Sequence, residues 1–303
     1  MVLTQTQLGR TDLKVARLGL GLSEIGNDSS VSDERAEKVL NIALDNGINF
    51  LDAAACYGNS EELIGKTISN RRDEYVISTK AGHVVGEYEG QPWTAQTVRD
   101  SIERSLKRMN THYIDIVHLH SCGLDVLENG EVIRALQDAR QAGKTRYIGY
   151  NGDNEAAHWA VDSGVFDTLQ TSFNLVDQSA LKSRLLSKAN EKGMGVIAKR
   201  PLANATWGAK EAPSRYSSEY HRRARLMAEP GPVPSTPQDP NLLALGFVLA
   251  HREVNIAIVG TTDPEHMRQN VHWFYDELPI PQEAVDELHN RFDEIGSGWL
   301  QQE

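Results

Sequence analysis

Eight short apolar runs, each separated from the next by a longer amphipathic stretch, constrain this 303-residue chain more than any other feature. The runs read as strands at 18–22, 49–54, 74–80, 115–120, 146–150, 168–173, 195–198 and 255–259. Helical patterns with one polar face fill the gaps at 33–45, 60–69, 95–109, 130–142, 155–163, 178–192 and 242–251. Turn signals such as Asn46-Gly47, Ala142-Gly143 and Lys192-Gly193 close the helices. The strands are apolar on both faces, as parallel strands covered on both sides must be. Eight such units in a chain of this length predict a closed (β/α)8 TIM barrel rather than an open doubly wound sheet. The expectation is a single domain over residues 1–303.

Three segments stand outside the repeat. Residues 3–16 alternate around Gly9-Arg10-Thr11-Asp12 and predict a small N-terminal hairpin. Residues 203–240, rich in Pro and Ser with a basic stretch at 220–225, form a long loop after strand seven. A connection of that length is commonly functional, and it belongs on the C-terminal face of the barrel. A last helix is expected at 282–295.

A net charge of −11 argues against nucleic acid or an anionic membrane as partner, so a phosphate-bearing ligand would need a local positive site. Two cysteines, Cys56 and Cys122, imply no disulfide framework and fit a reducing compartment. The chain shows neither an apolar stretch of membrane-spanning length nor a signal-peptide core, and a cytoplasmic location is expected.

In such a barrel the chemistry lies where strands end and βα loops begin. Asp52 ends the second strand, Tyr57 lies in its loop, Lys80 ends the third and His120 ends the fourth. A phenol has an unperturbed pKa of about 10. A neighbouring lysine cation favours the phenolate and would draw that value down. The carboxylate would keep the lysine charged, and the imidazole would orient a carbonyl oxygen. Two other chemistries compete. His118 and His120 alternate along one strand and both face inward, as a two-histidine metal hydrolase would require, although strands one and eight offer no further ligand. Lys80 could form a Schiff base only if neutral, and Asp52 opposes that. A barrel that binds a cofactor as a non-catalytic sensor or subunit is the third alternative.

The segments LGRTDLKVARLGLGLSEIG, FLDAAACYGNSEELIG, VISTKAG, YIDIVHLH and IVGTTDPEHMRQN, in that order, resemble the aldo-keto reductases over nearly the whole chain. The resemblance implies an NAD(P)H-dependent oxidoreductase that interconverts an aldehyde or ketone and an alcohol by hydride transfer, without a metal. It makes Asp52, Tyr57, Lys80 and His120 the catalytic tetrad, with Tyr57 as general acid. Gln170 aligns with the ligand of the nicotinamide carboxamide. Asn151 stands where the family has Ser, and Gly152 where it has Asn. Lys199 replaces an aromatic ring that stacks on the nicotinamide, and Arg200 replaces a small hydroxyl residue; two cations there suit a pyrophosphate. Gly21, Leu22 and Ser23 are expected near the nicotinamide and substrate. Thr261, His266 and Asn270 take the adenosine end, on a helix capped by Thr262 or Asp263 with Pro264 near its start. Gly260 and His266 stand where the family often has Lys and Arg for the 2′-phosphate. Arg268 could compensate, while Asp263 would repel a phosphate. NADP(H) is expected ahead of NAD(H). Trp93 and Trp207 are candidates for the substrate wall, and Cys56 and Cys122 flank Tyr57 and His120.

Overall fold

The computed structural model describes residues 5–302. A two-stranded antiparallel hairpin, β1 (Thr6–Gln7) and β2 (Lys14–Val15), precedes the barrel as expected. Residues 3 and 4 of the predicted hairpin lie outside the described residues. Eight parallel strands follow: β3 (Leu18–Gly21), β4 (Phe50–Asp52), β5 (Val76–Ala81), β6 (Ile114–His120), β7 (Thr145–Asn151), β8 (Thr168–Ser172), β9 (Gly195–Lys199) and β10 (Ile256–Gly260). They close into a barrel in that order, with β10 beside β3. This is the (β/α)8 barrel expected from the eight apolar runs.

Local chemistry explains the connecting helices. In Asp33–Asp45 the Ser32 side chain caps the start by accepting from the Arg35 N–H, and Ala36, Val39, Leu40, Ala43 and Leu44 form the buried stripe. Asp239 caps the helix Pro240–Leu249 in the same way. Asp263, with Pro264 in the first turn, caps Pro264–His272.

Three elements depart from the reading of the sequence. The helix expected over 178–192 is two helices, Ser179–Lys182 and Leu185–Glu191, separated by Arg184 at φ +64°. The first is anchored by Ser179 and Gln178 to the backbone at Trp299 and Leu288, while the second buries Leu185, Leu186 and Ala189. A 3-10 turn, Ser69–Glu74, takes the last residue of the expected helix 60–69 and the first of the expected third strand, which begins at Val76. The segment 203–240 holds a helix, Ser218–Ala228, and part of its basic stretch is structural, while Arg222 and Arg225 stay exposed. Arg223 is buried against Glu219 at 2.9 Å, and the Tyr220 hydroxyl donates to Asp177 at 2.9 Å.

Alternation along the strands separates two apolar clusters. Leu20, Leu51, Ile77, Val117, Leu119, Ile148, Leu169, Val196 and Val259 face the helices. Phe50, Ile116, Ile197, Ile256 and Ile258 fill the barrel interior together with Leu8, Leu13 and Val15 of the hairpin. The hairpin is therefore a stopper for the N-terminal end. Gly9 carries φ +54°, and a Cβ there would collide with the Gly195 amide, so only glycine lets the turn seat. Above this apolar floor the interior turns polar, and the site begins. Leu8→Ala, which empties a fully buried position in the stopper, is expected to cost about 2–5 kcal/mol. A urea midpoint equal to that of the parent would show that the hairpin does not seal the barrel.

Candidate active site

Strand register brings the polar residues to one level. Gly21 pairs with Asp52, His120 with Asn151, Asn151 with Gln170, and Gly260 with Gly21. A cavity of 760 Å³ opens above them at the C-terminal mouth. Its walls include Asp52, Tyr57, His120, Asn151, Gln170 and Lys199, so most of the candidates converge on one space.

The centre is a buried ion pair. Lys80 Nζ lies 2.7 Å from Asp52 Oδ2 and donates to the Ala53 carbonyl at 2.8 Å. Asp52 also accepts from Ser78 Oγ at 3.1 Å and from Gln170 Nε2 at 3.0 Å. Burial alone would lower the lysine pKa, but Asp52 and Tyr57 more than reverse this and hold it above its ordinary value. A cationic Lys80 cannot attack a carbonyl, so the Schiff-base chemistry finds no support.

Lys80 Nζ sits 4.6 Å from the centroid of the Tyr57 ring, which meets His120 edge-on at 5.9 Å. The loop carrying Tyr57 is held by glycines. A Cβ on Gly26 would collide with the Tyr57 carbonyl, and one on Gly58, at φ +49°, with the Gly26 carbonyl. The expected downward shift of the phenol is reversed. Burial pushes it above its ordinary value; Lys80 opposes this, and Asp52 and Cys56 reinforce it. Tyr57 is consequently a protonated phenol at neutral pH.

Both histidines of β6 are neutral. His120 is driven well below its ordinary pKa by burial and then by Lys80, and its Nδ1 lies 3.5 Å from Cys56 Sγ. His118 is likewise far below its ordinary value because of burial and Lys80. It is fully enclosed, with Nδ1 3.1 Å from Ser78 Oγ and Nε2 3.0 Å from Thr168 Oγ1. Ser78 donates to Asp52, so it accepts from His118, which in turn accepts from Thr168. Both ring nitrogens of His118 are engaged, and the two-histidine hydrolase is overturned. Gly149 makes room for this ring, since a Cβ there would collide with it.

The cofactor candidates divide. Gly21, Ser23, Asn151, Gln170, Lys199 and Arg200 line the cavity. Gln170 Oε1 is buried without a hydrogen-bond partner among the described residues, a vacant acceptor suited to an amide N–H. Asn151 Oδ1 accepts from Ser121 at 3.2 Å. A side chain on Gly152 would collide with the Tyr150 ring. Leu22 is buried outside the lining, and its N–H donates to the Asp52 carbonyl. Lys199 is paired with buried Asp153 at 2.9 Å, and Arg200 with Ser172, Tyr216 and the Gln302 carbonyl. Thr261 and Asn270 are buried and His266 is exposed, all in or beside the helix Pro264–His272. Arg268 is tied to Glu265. Arg35, not anticipated, donates to the Thr262 carbonyl at 2.7 Å and pairs with Asp263 at 3.3 Å.

Trp93 and Trp207 are not wall residues. Trp93 packs edge-on against His83 and donates to the His120 carbonyl, while Trp207 packs against the core. Tyr216, in the segment before the helix Ser218–Ala228, lines the cavity instead, with Ser214, Asn204 and Glu24. No periodic or motif signal marks those positions. Asp153, at the mouth directly after β7, was readable as a barrel-end carboxylate.

The chain belongs to the aldo/keto reductase family, whose model matches residues 17–291. L-galactose dehydrogenase of Arabidopsis thaliana is 30% identical over 93% of this chain and 92% of its own length. L-glyceraldehyde 3-phosphate reductase of Escherichia coli O157:H7 is also 30% identical, over 87% and 85%. The holo form of an aldo-keto reductase from Bacillus halodurans superposes with a TM-score of 0.81 at 24% identity, over 95% of this chain and 96% of that one. The protein is an NAD(P)-dependent oxidoreductase. No helix among the described residues is long and apolar enough to cross a membrane.

The neutral histidines make stability depend on pH. Unfolded, each titrates near about 6.5; folded, each does so far lower, so below that value the unfolded chain binds more protons. Stability is full above about pH 6.5 and falls as the pH drops, by up to about 1.4 kcal/mol per unit for each histidine. A urea midpoint that stays constant from pH 7 to 5 would contradict their burial as neutral rings.

Proposed function

We propose that this protein reduces a small hydroxylated aldehyde, or oxidises the corresponding alcohol or lactol, with Tyr57 as the proton donor. The supporting observation is the meeting of a protonated phenol and a neutral His120 in one cavity beside the unpaired Gln170 oxygen, with the cationic Lys80 buried 4.6 Å from the phenol ring. A bound nicotinamide cofactor would supply or accept the hydride. Gln170 Oε1 and Asn151 would hold the carboxamide, and Gly21 would let the ring approach the backbone.

Within the chain the roles follow from charge. Tyr57 donates its proton to the carbonyl oxygen as negative charge develops there, and Lys80 stabilises the phenolate left behind. Asp52 fixes the Lys80 ammonium and keeps it charged. When the Cys56 thiol donates to Nδ1, the neutral His120 ring carries its proton on Nε2 and offers a hydrogen bond to the same oxygen. The reverse direction needs the phenolate, so oxidation should gain rate as the pH rises. Ser23, Ser121, Asn204, Ser214 and Tyr216 offer polar groups to a hydroxylated substrate beside an apolar side at Leu202, Ile258 and Val259, and the sugar-related names of the two relatives support that choice.

Tyr57→Phe is expected to lower turnover about 10²–10⁴-fold with cofactor affinity unchanged. Undiminished turnover would remove Tyr57 from the chemistry.

The charge pattern shifts the cofactor balance from NADP(H), expected from the sequence, toward NAD(H). The Glu24 carboxylate lies against Gly260, Asp263 is engaged by Arg35, and Arg268 by Glu265. Among the described residues, both arginines near that helix start are already paired with carboxylates. Fluorescence titration is expected to give tighter binding of NADH than of NADPH. The opposite order would restore the earlier expectation.

A further inference from the structure

Cys56, His83 and His120 each offer a ligand atom within 4.8 Å of the other two, a cluster the proposed reaction uses only through His120. Cys56 Sγ and His120 Nδ1 are 3.5 Å apart. A tetrahedral zinc ion, with Zn–S of about 2.3 Å and Zn–N of about 2.0 Å, holds its sulfur and nitrogen ligands about 3.5 Å apart. The third ligand is near but not aimed. His83 stacks nearly parallel on His120 with ring centroids 4.3 Å apart, so its ring has to turn for its in-plane lone pair to reach an ion held by Cys56 and His120. Trp93 flanks it edge-on at 5.3 Å. His83 Nε2 lies 3.0 Å from the His120 carbonyl, which only accepts, so the proton is on Nε2 and Nδ1 carries the lone pair. Gly82, at φ +120°, lets Trp93 close over this corner, where a Cβ would crowd the indole.

The geometry points to a site for a borderline transition-metal cation, of the zinc type, on Cys56, His83 and His120 that restrains the catalytic imidazole. One thiolate and two imidazoles are ligands that such cations prefer and that magnesium or calcium does not. Cys56 and His120 both line the cavity, which leaves a fourth position for water. As the metal–sulfur bond forms, the thiol proton leaves to solvent, with no change of oxidation state. Lys80 opposes the cation, while the negative charges of Asp52 and Glu61, which also act on Cys56, offset it. Drawing three ligand atoms together pulls the His120 ring toward His83 and away from a substrate oxygen. The effect on turnover rests on the proposed role of His120; the site itself does not.

The test uses the whole protein, first without substrate or cofactor. Added Co²⁺ is expected to give a thiolate-to-cobalt charge-transfer band that Cys56→Ser abolishes, and that His83→Asn shifts to at least tenfold higher cobalt. No band, or one that survives Cys56→Ser, overturns the site. With cofactor and a carbonyl substrate, Zn²⁺ but not Mg²⁺ is expected to lower turnover at least tenfold, reversibly by chelator, and His83→Asn to raise the zinc required at least tenfold. A cobalt band with turnover indifferent to zinc overturns the control of His120. Loss of all turnover before metal is added, with the band intact, tells against the oxidoreductase reading and leaves the site standing.

Discussion

A lysine ammonium and a carboxylate, both removed from water, stand 2.7 Å apart at the centre of this molecule, and the mouth of the barrel is built around them. Neither charge would be tolerable alone, because the desolvation of each is compensated only by the other and by the hydrogen bonds around the pair. Asp52 is fully used: Lys80 and Gln170 on one oxygen, Ser78 on the other. That arrangement sets the orientation of Gln170, starts the hydroxyl–imidazole chain through His118, and places a fixed positive charge beneath the Tyr57 ring. Such a pair adds little to stability compared with apolar filling of similar volume. Its place here is explained by the electrostatics it imposes on the phenol and the two imidazoles.

The barrel was legible because strand burial on both faces and helix amphipathicity are properties of local pattern. All eight strands and the capped helix after β10 follow from that pattern. The tetrad candidates were legible for a related reason: barrel geometry assigns strand-end residues to the mouth whatever their identity. Positions set by distant partners were not legible. Arg184 breaks a continuous helical pattern because its two halves bind different neighbours, and Tyr220 and Arg223 of the stretch at 220–225 turn inward onto Asp177 and Glu219. Trp93 and Trp207 illustrate the same limit, since an aromatic in a loop gives no sign of whether it faces ligand or core.

Charge in the cavity also differs from what residue identities alone suggest. A tyrosine beside a lysine invites the expectation of an acidified phenol, yet burial and Asp52 outweigh the cation. Lys199 and Arg200 read as free cations for a phosphate, whereas each is held by neighbours, Lys199 by a buried carboxylate. In both cases the sequence names one partner and the fold supplies the competing ones.

The row Thr168, His118, Ser78 and Asp52 has the parts of a conduit for protons, with hydroxyls and an imidazole in hydrogen-bonding succession. It leads nowhere: Thr168, His118 and Ser78 are wholly enclosed, and the apolar floor and its stopper lie below them. The row is a cul-de-sac with no bulk water at its far end. Under the proposed function, a hydrogen ion given up at Tyr57 would not be replenished along this row and would return through the mouth by which the alcohol leaves. Recharging of the acid would then be coupled to emptying of the chamber.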